Sequence, residues 1–259
     1  MINRERHKRT ELLLGREAID RLHQTHITVI GLGAVGSHVV EALARCGVGA
    51  LRIVDFDVIS ESNFNRQLLA IEPNLGRKKT VAAAERIAQI DPGIQVEIFD
   101  LLCHAENFAE VFAQPTDVIV DAIDSLNPKV NVLYEAVTRQ MKIVSCMGAA
   151  RKVDPTKITT GDISQTQMCP LAKFVRKRLR NRGIYSGVHC VYSTELINRE
   201  TVAEETEENY YQSGRERLPV GSLPMITGIF GYVAANEALK MVVDYPDFES
   251  PGRSSFKKF

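Results

Sequence analysis

The fold is decided by residues 26–57, HITVIGLGAVGSHVVEALARCGVGALRIVDFD. A short apolar run at 27–30 enters a glycine-rich turn, an amphipathic stretch with helical spacing continues to about Cys46, and a second apolar run covers 51–54. A strand, a helix and a second strand in this order predict a βαβ unit with two parallel strands.

Strands and helices continue to alternate beyond this unit. Hydrophobic periodicity predicts helices at 12–22, 79–90, 105–112 and 128–139, and strands at 95–99, 117–124 and 142–148. Alternating elements of this kind form a parallel sheet with helices on both faces. We therefore predict an α/β protein with a Rossmann-like, doubly wound, mostly parallel sheet.

Composition is that of an ordinary globular protein. The 259 residues carry a formal net charge of zero, and 44% of them are hydrophobic. The five cysteines are odd in number and show no CxxC spacing, which argues against a disulfide framework and a cysteine-bound zinc. Residues 1–15 are charged and lack the apolar run of a signal peptide. We expect a cytoplasmic protein that does not enter a membrane.

One apolar segment, 223–243, is long enough to imitate a membrane span. Pro224 stands near its start, and Glu237 and Lys240 lie in its second half, where charged side chains are costly at bilayer depth. A helix buried in the protein core is therefore expected here.

The turn after the first strand reads Gly31-Leu32-Gly33-Ala34-Val35-Gly36, a GxGxxG pattern. Glycines permit a tight turn in which backbone N–H groups approach a phosphate, and the helix N-terminus adds a favourable dipole. Asp55 ends the second strand 19 residues after Gly36, where a carboxylate can bind ribose hydroxyls. Taken alone, this pattern is typical of a dinucleotide dehydrogenase.

Three further features favour phosphate chemistry over hydride transfer. Residues 62–67 read SNFNRQ, a compact group of amide and guanidinium side chains suited to a pyrophosphate. Residues 76–79 read GRKK and place a lysine at the start of a helix. The predicted strand DVIVDAID ends at Asp124, and a carboxylate at the carboxyl end of such a strand is well placed for Mg²⁺.

In this order, GLGAVG, DFD, SNFNRQ, GRKK and VDAID resemble the ThiF/MoeB/HesA superfamily of adenylating enzymes, which includes ubiquitin-activating enzymes. The resemblance covers roughly residues 6–148. Segments at 9–22, 187–195 and 219–240 are similar to the branch that dehydrates threonylcarbamoyladenosine in tRNA to its cyclic form. The resemblance implies that ATP and Mg²⁺ are used to activate a carboxylate as an acyl-AMP.

The resemblance also implies roles for individual residues. Those expected to bind ATP are Gly31, Gly33, Ala34, Gly36, Asp55, Asp57, Asn63, Asn65, Arg66, Gln67, Lys79, Asp124 and Ser125. Within this set Arg66 and Lys79 are expected to be catalytic, and Asp124 is expected to be catalytic and to bind Mg²⁺. Arg9 matches a catalytic arginine that reaches the neighbouring subunit's ATP in relatives, which implies a homodimer whose sites are completed in trans.

A basic helix is predicted near residues 173–182. Six of these ten residues are cationic, on a chain whose net charge is zero: Lys173, Arg176, Lys177, Arg178, Arg180 and Arg182. Such a cluster is either a solvated face or an electrostatic footprint for a phosphate backbone. Together with the resemblance, it favours a tRNA substrate bound through this helix.

The predicted organisation has three parts. Residues 1–150 form an ATP-binding Rossmann-like adenylation core, residues 151–220 form a substrate-facing insertion that contains the basic helix, and residues 221–259 form a helix that returns to the core. The glutamate-rich run at 204–208 is expected to be a solvated loop.

Some alternatives stay open on the sequence alone. The chain could instead activate a ubiquitin-like or sulfur-carrier protein, with a sulfur-relay partner, or bind a nucleotide as a regulatory protein without turnover. Cys169 could be a nucleophile assisted by the basic helix, although a partly buried neutral thiol is the simpler interpretation. For Asp121, a local hydrogen-bonding role and a functional role are equally compatible with the pattern.

Overall fold

The computed structural model describes residues 3–196 and 220–245 of the chain. These residues form one seven-stranded sheet with the strand order β3-β2-β1-β4-β5-β7-β6. The strands are β1 (His26–Ile30), β2 (Ala50–Val54), β3 (Gln95–Phe99), β4 (Val118–Asp121), β5 (Ile143–Cys146), β6 (Ile158–Asp162) and β7 (His189–Ser193). The six strands from β3 to β7 pair in parallel, and β6 pairs antiparallel with β7 at one edge.

Eight α-helices are found in the described residues, and most of them cover the two faces of the sheet. They are α1 (Arg4–Leu14), α2 (Arg16–Leu22), α3 (Gly36–Cys46), α4 (Lys79–Ile90), α5 (Phe108–Val111), α6 (Leu126–Thr138), α7 (Pro170–Arg180) and α8 (Pro224–Lys240). Together with the strand order, they confirm the prediction of a Rossmann-like α/β fold with a mostly parallel sheet.

Each face of the sheet has its own hydrophobic core. One core includes Val39 and Leu43 of α3 with Phe230 of α8. The other includes Leu133 of α6 and Val175 of α7. The central strands are buried on both sides, which explains why they read as continuous apolar runs rather than as alternating ones.

The long C-terminal helix is part of the first core. Ile226, Phe230 and Ala234 of α8 are fully buried, and α8 packs mainly against α3. Gly231 makes this close packing possible, because a methyl group there would lie 2.6 Å from the Val35 carbonyl oxygen. The prediction of a buried core helix is confirmed. No helix in residues 3–196 and 220–245 is long and apolar enough to cross a membrane.

Two predicted helices differ from the observed ones. The helix predicted at 12–22 is two helices, because Gly15 interrupts it with a φ of 91°, a left-handed value that ends a helix. The first of them also begins earlier, at Arg4, so that the polar residues before Leu12 are helical. The helix predicted at 105–112 is only the single turn Phe108–Val111.

Beyond residue 150 the chain continues the sheet. β7 pairs with β5 through Val144 and His189, and β6 closes that edge. The predicted division of the chain at 150 and 220 stays a prediction. The glutamate-rich run at 204–208 lies outside the described residues.

Candidate functional site

Polar residues gather at one edge of the sheet, where β1 and β4 end side by side. Ile30 of β1 is paired with Asp121 of β4. From these strands the chain turns into α3 and α6, which pack in the two different cores and therefore cover opposite faces. Adjacent strands that send their helices to opposite faces open a crevice in which α/β proteins bind ligands.

The glycine turn between β1 and α3 is shaped by two very close backbone contacts. Gly31 has a φ of 90°, and a methyl group there would lie 2.8 Å from the Ala122 carbonyl oxygen. A methyl group on Gly36 would lie only 1.7 Å from the Gly31 carbonyl oxygen. Gly33 differs, because the atom nearest to a methyl group there, Gln67 Nε2, would be 3.9 Å from it. Two glycines are thus required by the fold, and the third leaves the face of the turn open.

Asp55, the predicted ribose ligand, holds the glycine turn. Its two carboxylate oxygens accept hydrogen bonds from the backbone N–H groups of Leu32, at 2.6 Å, and Asp57, at 2.8 Å. Burial raises the pKa of the Asp55 carboxyl, and the Lys79 ammonium and these two N–H donors oppose that rise. Each oxygen has a further lone pair. A hydroxyl donor from a ligand could therefore still bind at this carboxylate.

Lys79 lies in the same neighbourhood, at the first position of α4. Its ammonium is buried and lies 2.7 Å from Asp57 Oδ2, while its backbone N–H donates to the Asp57 carbonyl. The ammonium has three N–H donors, so a phosphate oxygen could accept another of them. The helix N-terminus adds positive potential at this point.

Residues 60–67 form a polar arm next to the glycine turn. The 3₁₀ helix Glu61–Asn63 opens the arm. The Asn63 carbonyl oxygen then accepts hydrogen bonds from the backbone N–H groups of Arg66 and Gln67, at 3.1 and 2.9 Å. The arm is thus a compact folded turn, which brings its four predicted ATP-binding side chains close together along the chain.

The side chains of the polar arm are pre-ordered by the protein. The Arg66 guanidinium donates to the Ser62 carbonyl, at 2.6 Å, and to Asn65 Oδ1, at 2.8 Å. The Asn65 amide donates to the Ser222 carbonyl and thereby joins the arm to the segment before α8. The carbonyl oxygen of the buried Gln67 amide has no hydrogen-bond partner among the described residues. Most buried acceptors in folded proteins have a partner, so this oxygen is an exception within the polar arm.

Asp124 and Ser125 follow β4 and precede α6. Asp124 is exposed, Ser125 is buried, and their side chains are 3.4 Å apart. No group of three or more histidine, cysteine, aspartate or glutamate residues that could hold a metal occurs in the described part of the chain. The oxygen donors present fit Mg²⁺ in its usual protein setting, in which one or two carboxylates share the ion with substrate phosphates.

The surroundings of Asp121 distinguish between its two interpretations. Asp121 and Lys129 of α6 are both fully buried and form an ion pair at 2.5 Å. Asp121 therefore has a protein partner and is not a surface ligand. Sequence reasoning missed Lys129; the available signal was a lone lysine in register with the apolar residues Leu126 and Leu133 of the same helix.

The cationic residues near α7 do not share one environment. The α7 helix ends at Arg180, so Arg182 lies in the turn that follows. Arg176 turns inward and donates to the Thr166 carbonyl. Arg178 and Arg182 reach α6, where they donate to two asparagine side chains. The exposed members on the outer side are Lys173, Lys177 and Arg180, which we call the outer stripe.

Cys169 is the N-cap residue of α7. Its buried sulfur accepts hydrogen bonds from the backbone N–H groups of Gly148, at 3.3 Å, and Ala172, at 3.5 Å. Burial raises the pKa of the Cys169 thiol, although these donors oppose that effect. A buried thiol with a raised pKa is a poor nucleophile. The geometry therefore favours the structural interpretation of this cysteine.

Arg9 belongs to α1, and the cavity that it lines includes no residue of the glycine turn. It lines a cavity of about 440 Å³ together with Leu13 of α1, Cys46 of α3 and Tyr232 of α8. Cys46 is the last residue of α3, about 15 Å along the helix from the turn at Gly36. The role of Arg9 at the nucleotide of another chain stays a prediction.

The fold and this cluster of residues define a Rossmann-like α/β protein with a candidate phosphate site at the carboxyl ends of β1 and β4. Comparison with known families specifies it further. The model of the ThiF family matches residues 6–258. The chain therefore belongs to the ThiF family.

Individual relatives are similar over nearly the whole length. The tRNA threonylcarbamoyladenosine dehydratase of Bacillus subtilis is 35% identical over 227 residues, which are 87% of this chain and 89% of that protein. The crystal structure of Escherichia coli tRNA N6-threonylcarbamoyladenosine dehydratase in complex with ATP has a TM-score of 0.83 and 34% identity, covering 92% of this chain and 94% of the other. The structure of the same enzyme with AMP has a TM-score of 0.82 at the same identity and coverage.

The different surroundings of the glycines lead to a prediction. Gly36→Ala should lower the free energy of unfolding by about 3 kcal/mol, because its methyl group meets backbone that cannot move aside. Gly33→Ala should change it by less than about 0.5 kcal/mol, yet weaken ATP binding at least about tenfold. Denaturant unfolding and calorimetric titration with ATP measure the two effects. Unchanged ATP affinity in a folded Gly33→Ala variant would show that the nucleotide does not cross this turn.

Proposed function

We propose that the chain is an ATP-dependent enzyme that dehydrates threonylcarbamoyladenosine in tRNA to its cyclic form through an acyl-AMP. The observation that supports this most directly is the assembly of the glycine turn, the polar arm, Lys79 and the loop that carries Asp124 around one edge of the sheet. The relatives that match nearly the full chain indicate the substrate, and the relative whose structure was solved with ATP and with AMP indicates the nucleotide.

In the first step, ATP lies across the open face of the glycine turn, with its ribose near Asp55. An oxygen of the substrate's threonyl carboxylate attacks the α-phosphorus. A carboxylate–phosphorus bond forms, and the bond from the α-phosphorus to the bridging oxygen of pyrophosphate breaks. The products are the acyl-AMP and free pyrophosphate.

Negative charge builds up on the phosphate oxygens during this step, and preorganised cations stabilise it. Lys79, the first residue of α4, is held by Asp57. Arg66 is held by two oxygens of the polar arm. Because both cations are already ordered, little free energy is lost in arranging them when the charge develops. These two residues are the proposed catalytic cations.

The proposal includes Mg²⁺, with Asp124 as its protein ligand. When bound, the ion neutralises phosphate charge and orients the nucleotide. Asp57 is the other exposed carboxylate of the site, and its pairing with Lys79 keeps it close to the same phosphates. The remaining ligands of the ion would come from ATP and water.

In the second step the carbamoyl nitrogen attacks the activated acyl carbon of the same molecule. A carbon–nitrogen bond closes the ring, the bond to AMP breaks, and the nitrogen releases its proton to solvent. Intramolecular attack has a large effective molarity, so no covalent enzyme intermediate is needed. The buried, hydrogen-bonded Cys169 is consistent with that route.

The tRNA is proposed to bind along the outer stripe. Lys173, Lys177 and Arg180 are spaced by four and three residues, so they lie on one side of α7. The pairing of Arg178 with Asn127 places α7 beside the first turn of α6, three residues after Asp124. A phosphate backbone on the outer stripe would therefore run close to the proposed metal site.

The active enzyme is proposed to be a homodimer in which Arg9 acts on the partner's ATP. The face around Arg9 is apolar and exposed, with Leu13 at 61% and Tyr232 at 48% of full exposure. Exposed apolar clusters of this kind mark interaction surfaces. The five cysteines are free thiols, which suits the reducing cytoplasm in which we place the enzyme.

The rival functions differ in what they require of the same site. Activation of a ubiquitin-like or sulfur-carrier protein needs the identical adenylation residues and another acceptor. A regulatory nucleotide-binding protein needs only the nucleotide contacts. The cationic outer stripe favours the tRNA substrate, and pyrophosphate exchange that depends on modified tRNA would separate all three.

The adenylation residues can be tested without following ring closure. Lys79→Met and Asp124→Ala should each slow ATP–pyrophosphate exchange by ~10²–10³, because each removes one preorganised charge contact. Lys78→Met is the matched control, since Lys78 is the preceding lysine and its ammonium pairs with Asp100 instead. Near-normal exchange in both test variants would rule out this site.

Completion of the site in trans can be tested by subunit mixing. Arg9→Ala and Asp124→Ala subunits should each be inactive alone. In a heterodimer, one of the two sites keeps its own Asp124 and receives the partner's Arg9. Random mixing in equal amounts should therefore restore about a quarter of the wild-type activity. Proven subunit exchange without any recovery would mean that each site is built from one chain.

The outer stripe makes a quantitative prediction for tRNA binding. Each phosphate contact contributes about −0.7 to −0.9 to the slope of log affinity against log salt. Replacing Lys173, Lys177 and Arg180 by glutamine should flatten that slope by roughly 2–3 and leave ATP affinity unchanged. The charge-matched control replaces Arg139, Lys142 and Lys240, which lie away from α7. An unchanged slope in the test variant would favour the carrier-protein rival.

A further inference from the structure

A fully buried cation pairs with the strand end that leads into the proposed metal ligand. The Lys129 ammonium of α6 is 2.5 Å from Asp121 Oδ2, 2.9 Å from the Cys146 carbonyl oxygen and 3.3 Å from Ser145 Oγ. Asp121 ends β4, and the other two residues end β5. The three N–H donors of the ammonium thus connect the first turns of α6 with two neighbouring strand ends.

The Asp121 carboxylate connects the Lys129 ion pair to the backbone of the turn that follows β4. Asp121 Oδ2 also accepts a hydrogen bond from Ser145 Oγ, at 2.6 Å. Its other oxygen accepts one from the backbone N–H of Ile123, at 3.0 Å. Ile123 is the residue immediately before Asp124. The carboxylate that Lys129 holds therefore fixes the turn that leads into the proposed metal ligand.

The same turn is also in close contact with the glycine turn. The Ala122 carbonyl oxygen is in such close contact with Gly31 that a methyl group there would be 2.8 Å away. The Ala122 N–H donates to the Ile30 carbonyl, at 2.8 Å. A shift of the turn between Asp121 and Asp124 would therefore move the metal ligand and the phosphate-binding backbone together.

Stability alone is a weak reason for this arrangement. A buried ion pair contributes little net stability, and well-packed hydrophobic residues of similar size often replace one without loss. This pair lies where two strands open into the crevice, and each of its hydrogen bonds goes to a residue at that edge. Outer partners of this kind orient the ligands of a metal and tune its affinity.

We propose that Lys129, acting through Asp121, is a positioning residue that holds the turn at 122–125 in the conformation in which Asp124 meets the nucleotide-bound metal. The inference rests on the proposed function, because it assigns Asp124 to the metal. It predicts that loss of Lys129 weakens the metal-dependent part of ATP binding, whereas a purely structural role would change only stability.

The test measures ATP affinity by calorimetry with Mg²⁺ and with EDTA. The Lys129→Met variant and the Asp121→Asn/Lys129→Met variant, which leaves no unpaired charge, should each lower the ratio of the two affinities by about tenfold. In an Asp124→Ala background the same replacements should lower the ratio no further, because coupled residues are not additive. The ratio is insensitive to a uniform loss of stability.

Hydrogen exchange gives a readout that needs no ligand. The Ile123 amide should exchange at least about tenfold faster in Lys129→Met than in the wild type, because its acceptor is no longer fixed. Arg52→Met is the matched control: Arg52 is also a buried cation, paired with Glu97 at 2.7 Å on strands β2 and β3. It should destabilise the protein and leave both the affinity ratio and the Ile123 exchange rate unchanged.

The outcomes separate this inference from the proposed function. A folded double variant with the wild-type affinity ratio and the wild-type exchange rate at Ile123 would overturn the positioning role. An equal fall of the ratio in Arg52→Met would also overturn it, since the effect would then follow stability alone. A wild-type chain that binds no ATP contradicts the proposed function itself. Even then, faster exchange of the Ile123 amide in Lys129→Met, but not in Arg52→Met, would support the dependence of this turn on Lys129.

Discussion

The arrangement of this protein depends on a backbone-to-backbone contact at the end of its central strand. Gly36 packs so tightly on the Gly31 carbonyl, and Gly31 on the Ala122 carbonyl, that neither position has room for a side chain. This contact brings the N-terminus of α3 close to the end of β1, at the crevice. A second close contact lies between α3 and α8, where Gly231 packs against the Val35 carbonyl.

Around that contact, the charged groups of the site are held by the protein before any ligand arrives. Asp55 binds the backbone of the glycine turn, Asp57 binds Lys79, and Asp121 binds Lys129. These three carboxylates have different tasks because their burial differs. Asp57 is exposed beside the Lys79 ammonium, whereas the fully buried Asp121 accepts hydrogen bonds from Lys129, the Ser145 hydroxyl and the backbone N–H of Ile123. In the proposed reaction, the exposed Asp57 lies where a ligand can reach it, and the buried Asp121 holds the turn in place.

The proposed substrate surface is joined to the same framework. Arg178 and Arg182 attach α7 to α6 through Asn127 and Asn131, and Arg182 also lies over the Tyr134 ring. The helix that follows Asp124 therefore carries the basic helix on its outer side and the buried ion pair on its inner side. Half of the cationic residues near α7 serve this attachment or turn inward, and the exposed members on the other side of the helix form the outer stripe.

Much of this could be predicted from the sequence by itself. The βαβ unit, the parallel direction of most strands and the glycine turn follow from periodicity and glycine positions, which are visible within short segments of the sequence. The residues that assemble at the edge, such as Lys79 and Asp124, came from ordered motifs and their resemblance to a family. Only the tertiary structure decided which partner each charge meets: Lys129 with Asp121, Arg176 with Thr166, and Asn65 with Ser222. It also decided that β6 and β7 extend the sheet and that Gly33, unlike Gly31 and Gly36, stays open. These features depend on contacts between residues that are distant in sequence, and packing and burial, rather than local pattern, determine which of these contacts form.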